Sequence, residues 1–225
     1  MKVREMTVLA DTSGGSSGET LVKVVYSRLR REILDGTLRP NQPLVEVELA
    51  DRMKVSRMPI RESLQRLAVD GLVRSQRRRW VVHEHTKLEV CEMYEVRTAL
   101  EGEAAALAAR KASHEQVLAI LSAGRSTLFS QAENRAERVA NNEHFHNLII
   151  NAATNDRLTQ MIERNSIFHF NQHVASLYSG DELHESGQQH EELARAIQKH
   201  DSDRARKIAI AHVEHALHII MTKLY

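Results

Sequence analysis

Two apolar stripes in this chain lie so close together that they dictate a tight turn. Leu49, Ala50 and Met53 share one face of a short helical segment, about Glu46 to Met53. Ile60, Leu64 and Leu67 fall at i, i+4 and i+7 of a second segment. Only Lys54-Val55-Ser56 separates the two. Neither helix can bury its stripe alone, so the spacing predicts two short helices folded together across that turn, a helix-turn-helix. Ser56 is placed to cap the second helix, its side chain accepting from free N–H groups of the first turn. Pro59 sits in that first turn, where its missing N–H costs no helical bond. Arg57 and Arg61, four apart, share another face. Two guanidiniums at the N-terminal end of a short amphipathic helix suit the major groove of DNA, where each can grip guanine O6 and N7 together.

The flanking segments extend this motif. Residues 1–19 contain the polar run Asp11–Gly18 and read as a flexible N-terminal segment. Thr20 reads as the cap of a helix to about Asp35, with Leu21, Val25, Leu29 and Ile33 inward and Gly36 as a left-handed stop. Leu38–Pro43 reads as a turn-rich link. After Asp70-Gly71, the β-prone runs Leu72–Ser75 and Trp80–Val82 bracket Gln76-Arg77-Arg78-Arg79. That pattern predicts a β-hairpin wing with a cationic tip, against the plainer alternative of a solvated loop with clustered arginines. Such a tip, with Arg78 and Arg79, would lie along phosphates or reach a minor groove.

Charge agrees with this placement. Residues 57–79 hold seven arginines against Glu62 and Asp70, a local +5 in a chain whose net charge is +1. The rest therefore sums to −4, and a basic island on a mildly acidic chain implies one polyanion-binding surface. A winged helix-turn-helix over 20–84 is expected to bind double-stranded DNA.

From Thr86 onward the texture becomes near-continuous helix, over about 87–111, 114–132, 135–153, 156–178, 182–199 and 202–223. Ser113–Gln116 fits a capping box, and Asn155 and Asp201 are further N-caps. These segments predict a second domain, 85–225, as an all-α antiparallel bundle of about six helices. Aromatics at 4% and only three prolines also favour a mainly α chain. The single cysteine, Cys91, rules out an intramolecular disulfide. No 18 apolar residues run together and no secretory h-region follows Met1, so a cytoplasmic protein without a membrane span is expected.

Ten of the 13 histidines follow residue 140. Asn142 and His146 are four apart, so both project from one helix face; His190 and His212 could converge with them if their helices are neighbours. Facing helices of a bundle can build an interior metal site in this way, and imidazoles suit zinc, nickel, copper or iron. The ordinary alternative is a set of surface and satisfied core histidines. Arg97 could fork onto a carboxylate, or form an i, i+4 pair with Glu101 on a solvated face.

Arg31–Pro40, Glu48-Leu49-Ala50, Val55–Leu64 and Gly71-Leu72-Val73 resemble the GntR-family winged helix-turn-helix. The second domain, with Tyr94-Glu95-Val96-Arg97 near its start, is similar to the FadR-like branch with an FCD-type ligand-binding domain. The resemblance implies a homodimeric, ligand-responsive transcription factor. A dimer would place two recognition helices on a near-palindromic operator, and a repressor is expected, with an activator as the alternative. Its effector would be an organic acid or similar metabolite. Arg57 and Arg61 match the family's DNA contacts, and Ser56, Arg31, Arg78 and Arg79 join them in the implied DNA-binding set. Asn142, His146, His190 and His212 match the FCD metal ligands, implying a divalent transition metal, zinc first and nickel, manganese or iron as alternatives. Arg97, with Tyr94, is implied to receive a small-molecule carboxylate. Three positions depart from the family pattern: Lys54, Asn41 and Arg79 stand where glycine is usual. Lys54 would cost about 1 kcal/mol if its backbone is left-handed.

Two other functions fit parts of the sequence. A direct metal sensor would answer to the ion alone. A metal-dependent all-helical hydrolase would use the adjacent His200-Asp201 pair, but such an enzyme has no use for Arg57 and Arg61 in a winged domain.

Overall fold

In the computed structural model the described residues are 16–129, 134–165 and 172–225. They divide into two compact units: residues up to Ile33 with Arg39–His83, and Leu34–Leu38 with Glu84–Tyr225.

The first unit contains α1 (Ser16–Leu34), β1 (Pro43–Leu44), α2 (Glu46–Met53), α3 (Arg57–Val69), β2 (Val73–Gln76) and β3 (Arg79–Val82). α1 begins one turn before Thr20, so residues 16–19 are helical rather than part of a flexible segment; 1–15 lie outside the described residues. That turn holds no proline, and its one glycine costs only about 1 kcal/mol in a helix. The inner face of α1 is Val22, Val25 and Leu29, while Leu21 is exposed. A spacing of four advances about 40° per step around a 3.6-residue turn, which carries Leu21 off the face and brings Val22 onto it.

α3 buries Ile60, Leu64 and Leu67 completely. Ser63 is buried beside them, and its hydroxyl donates to the Val22 carbonyl at 3.0 Å. Ser56 is the N-cap by backbone, but its side chain makes no capping hydrogen bond. Pro59 occupies the third helical position and so removes one of the two N–H groups that a cap normally engages, which weakens the capping site.

The turn before α3 is made by Lys54 at φ 57° and ψ 42°, its N–H shared between the carbonyls of Ala50 and Asp51. Lysine thus holds the left-handed backbone that favours glycine. Lys54→Gly is expected to raise stability by at most about 1 kcal/mol, read as a higher denaturant midpoint; a lower midpoint would show that the lysine stem packs usefully.

The sheet has the order β1-β3-β2, both pairs antiparallel. β1, read from sequence as turn, adds Pro43 and Leu44 opposite Val81 and Trp80. Proline fits there because β1 is an edge strand. The wing is tighter than expected: Gln76 and Arg79 pair within the strands, leaving only Arg77 and Arg78 in the turn. Both take positive φ, 50° and 64°, as a twist-matched two-residue hairpin turn requires. The glycine-like backbone of the wing therefore falls on Arg77 and Arg78, not on Arg79.

The second unit consists of α4 (Lys87–Lys111), α5 (His114–Phe129), α6 (Arg135–Ala152), α7 (Asp156–Arg164), α8 (Gln172–Ala175), α9 (Gly180–Gln198) and α10 (Ser202–Leu224). The helix expected over 156–178 instead stops at Arg164, where the Asn165 amide donates to the Met161 carbonyl at 2.8 Å. Residues 176–178 are also outside any helix. The predicted end of the second bundle helix, 130–132, lies outside the described residues.

α4 runs along α10, and α5 along α9 and α6. Buried alanines 104, 105, 106, 108 and 109 give α4 small contact faces on several sides. At Gly124 a Cβ would meet Ala194 Cβ, the His190 carbonyl and Phe145 Cε2, each at 3.3 Å. This close approach sets α5 directly against the histidine-bearing part of α9. Among the described residues no helix is long and apolar enough to cross a membrane.

Candidate functional site

In the first unit the amphipathic pattern that buries Ile60, Leu64 and Leu67 leaves Arg57 and Arg61 exposed on α3, with Ser56 exposed at its start. Arg31 is exposed in the last turn of α1, and Arg78 and Arg79 are exposed on the wing. Arg61 is not idle. Its Nε lies 3.2 and 3.3 Å from the two Glu46 oxygens, and one terminal nitrogen lies 2.9 Å from Oε2. This two-pronged grip is the main cause holding the Glu46 carboxyl below its ordinary pKa.

Glu46 therefore presents to Arg61 the same two-acceptor geometry that a guanine edge would. Exposed ion pairs stabilise little, less than a bidentate guanine contact, so a groove would win the arginine. Glu46→Gln is expected to tighten DNA binding roughly 2- to 5-fold by releasing Arg61, measured by fluorescence anisotropy. Weaker binding would instead mean that Glu46 aims the arginine.

The second unit brings His146 of α6, His190 of α9 and His212 of α10 together, with one ligand atom from each within 4.8 Å of the others. Ring centroids are 4.5 Å apart for His190 and His212, 5.1 Å for His146 and His190, and 5.2 Å for His146 and His212. His190 and His212 are 2% and 5% exposed. Burial, then the neighbouring imidazoles, push the pKa of both well below the ordinary histidine value. Both rings are neutral near pH 7, as ligation requires.

The hydrogen bonds around these rings fix their tautomers. Thr127 Oγ1 donates to the Gly124 carbonyl at 2.8 Å, so it can only accept from His190 Nδ1, 3.0 Å away. Gln189 Oε1 accepts from His212 Nδ1 at 2.8 Å. Each ring thus carries its proton on Nδ1 and a lone pair on Nε2, yet the two Nε2 atoms face each other at 3.2 Å. Two buried lone pairs at that distance repel unless a cation lies between them. His146 Nε2 is likewise buried and has no hydrogen-bond partner among the described residues. Nitrogens bound to a tetrahedral ion at about 2.0–2.1 Å lie about 3.3–3.4 Å apart. The three-imidazole donor set fits a divalent metal, and the 3.2 Å between His190 and His212 Nε2 is close to the spacing of two ligands on one ion.

Asn142, one turn before His146, lines two small adjoining cavities together with Ser186. The first also includes Tyr94, Arg97, Tyr178 and His212; the second includes Thr127, Arg138, Asn141 and His190. The space beside Arg97 is about 10 Å³, room for no more than one water.

Arg97 and Glu101 do form the i, i+4 pair, but inside the bundle rather than on a solvated face: each is 7% exposed, and Arg97 Nε meets Glu101 Oε1 at 2.5 Å. A terminal nitrogen of Arg97 also donates to the Tyr94 hydroxyl at 3.2 Å. Burial works against the arginine charge, and Glu101 outweighs it, leaving the pKa above the usual arginine value.

His200 and Asp201 are both structurally engaged. The His200 ring bonds the Ala109 carbonyl at 2.8 Å, and Asp201 caps α10 through the Arg204 N–H at 3.0 Å. Thr127, Gln189 and Arg138 were missed by sequence reasoning. Only their position beside ligand-bearing turns of neighbouring helices reveals them, and that is not a periodicity.

Comparison with known proteins agrees with this architecture. Residues 21–82 match the family described as bacterial regulatory proteins, gntR family, and residues 92–215 match the FCD domain. The chain is 28% identical over 196 residues to an uncharacterized HTH-type transcriptional regulator, YdhC, of Bacillus subtilis, covering 84% of this chain and 86% of that protein. It is 37% identical over 86 residues to the gluconate operon transcriptional repressor of Bacillus subtilis, covering 38% and 35%. The solved structure of McbR/YncC from E. coli superposes with a TM-score of 0.77 at 21% identity, covering 91% of this chain and 99% of that one.

Proposed function

Because this chain belongs to the gntR family of bacterial regulatory proteins and carries an FCD domain, and is thus a DNA-binding transcriptional regulator rather than an enzyme, we propose that a small organic acid controls its operator binding. The acid would bind in the helical domain beside a divalent metal. The observation that carries this reading is the convergence of three imidazoles, two of them buried with their tautomers preset, where His212 shares a small cavity with the buried guanidinium of Arg97.

His146, His190 and His212 would hold the ion through Nε2, with Asn142 as the neighbouring oxygen donor. Zinc suits three imidazoles and one weak oxygen ligand. A bound dication would supply a strong positive charge for a carboxylate. Arg97 would orient that carboxylate, and Tyr94 would hold Arg97 in place. The cavity is closed around Arg97, so an organic acid enters only if side chains and helices part. That difference between two states of the bundle is what a ligand needs in order to shift an equilibrium.

In the first domain, residues 20–84, Arg57 and Arg61 would read base edges, while Ser56, Arg31, Arg78 and Arg79 would engage backbone or minor groove. The protein would act as a homodimeric repressor whose two recognition helices match a near-palindromic operator.

The test combines elemental analysis with operator titration. Protein purified without chelator should carry close to one zinc, or a nickel, manganese or iron, per chain, and His190→Ala with His212→Ala should carry none. Small carboxylates screened by thermal shift on the metal-loaded protein should then yield a ligand that changes operator affinity. Wild-type protein without metal sinks the metal reading. Operator affinity that follows added ion, with no organic ligand, would make the protein a direct metal sensor.

A further inference from the structure

One carboxylate touches both halves of the bundle site. Glu101 Oε1 accepts from Arg97 Nε at 2.5 Å, and Glu101 Oε2 lies 3.4 Å from His146 Nδ1. The second contact is longer than a good hydrogen bond, and it is the ion-pair distance of a ring facing a carboxylate. His190 and His212 have Thr127 and Gln189 to fix their tautomers. For His146 the acceptor beside Nδ1 is Glu101, and an ionised carboxylate can only accept. It therefore selects the Nδ1–H tautomer and turns the Nε2 lone pair towards the other two rings.

We propose that Glu101 is a positioning residue with two simultaneous duties: one oxygen orients His146 for the metal, and the other holds Arg97 for the anion. The proposal rests on the reading that the three histidines bind metal. Its consequence is that ion and anion are coupled through one side chain. An anion that draws Arg97 away leaves the carboxylate more fully to His146, making that ring a better ligand. By linkage, the ion then favours the anion by the same factor.

A carboxylate serves both neighbours, whereas an amide serves one. In Glu101→Gln, if the amide oxygen faces His146, the NH2 group faces Arg97 and repels it. If the oxygen faces Arg97, the NH2 group faces His146 Nδ1 and selects the wrong tautomer. Either arrangement disturbs the site without changing side-chain shape. Glu101→Asp keeps the charge and withdraws it by one methylene; Arg97 can follow, but His146 on α6 cannot.

The test uses the full chain with zinc or cobalt alone. Outer partners of metal-bound histidines are worth roughly 10- to 100-fold in metal affinity. Zinc affinity, measured by competition with a chromophoric chelator, should fall by that factor in both variants. The visible spectrum of the cobalt-loaded protein should change with it, since a purely structural role would leave ligand geometry intact. If Glu101→Gln does not fold, Glu101→Asp decides. A third arm needs no variant: the side-chain 15N spectrum of zinc-free wild-type protein should show His146 protonated on Nδ1.

Zinc affinity within two-fold of wild type in a folded variant overturns the role of Glu101, as does a wild-type His146 protonated on Nε2. Those results leave the metal reading standing. Wild-type protein that binds neither ion overturns both.

Discussion

Replacing Arg97 by alanine is expected to destabilise the protein by about 3–5 kcal/mol, the cost of removing one partner from a buried ion pair. Glu101 is 7% exposed, so water cannot substitute for the lost guanidinium. The same logic gives a second expectation of opposite sense. Replacing both partners with apolar residues of similar size, Arg97→Met with Glu101→Leu, should recover most of that loss, because no charge is then stranded. Chemical denaturation of the two single variants and the double variant measures this directly. A loss below about 1 kcal/mol for Arg97→Ala would mean that the pair is solvated in solution and behaves like a surface ion pair. The double variant should also have lost any response to a carboxylate ligand while remaining folded, which separates the stabilising role of the pair from its role in recognition.

The second large effect concerns DNA. Arg61→Ala should weaken operator binding roughly 5- to 150-fold and relax base preference at one position, the range expected for a bidentate arginine–guanine contact. Arg78→Ala on the wing should act differently. It should lower affinity for all sequences alike and reduce the salt dependence by about one counterion. It should leave fold stability nearly unchanged, because alanine keeps both the turn and the left-handed strain of Arg78. Comparing the two variants on operator and random DNA, at two salt concentrations, separates base reading from phosphate contact. An Arg61→Ala protein with unchanged operator affinity and selectivity would remove α3 from the recognition role.

These expectations show which parts of the molecule were legible in the sequence. The stripe Ile60, Leu64, Leu67 was readable because one short helix repeats its burial at a fixed period, and all three are fully buried. The cap at Asn155 and the capping box at Ser113–Gln116 were readable because they are local hydrogen bonds between residues three apart. The convergence of His146, His190 and His212 was one possibility among several in the sequence and was singled out only by a resemblance, since nothing local ties α6 to α9 and α10. The tautomers were not accessible at all: they depend on Thr127 and Gln189, whose roles exist only after the helices have packed. Glu101 illustrates the boundary. Its pairing with Arg97 follows from spacing, whereas its burial, and its reach to His146, do not.

The helix starts of the second unit carry one more implication. α4 and α9 open with complete capping boxes, at Thr86–Glu89 and Ser179–Glu182. α6, α7 and α10 each have a side-chain cap, from Asn134, Asn155 and Asp201. Ends closed in this way resist fraying, so these helices are expected to move as stiff rods rather than melt and reform. Deuterium uptake during a ligand response should then change in the joints, such as 112–113 and 199–201, and stay nearly constant along the rods they connect.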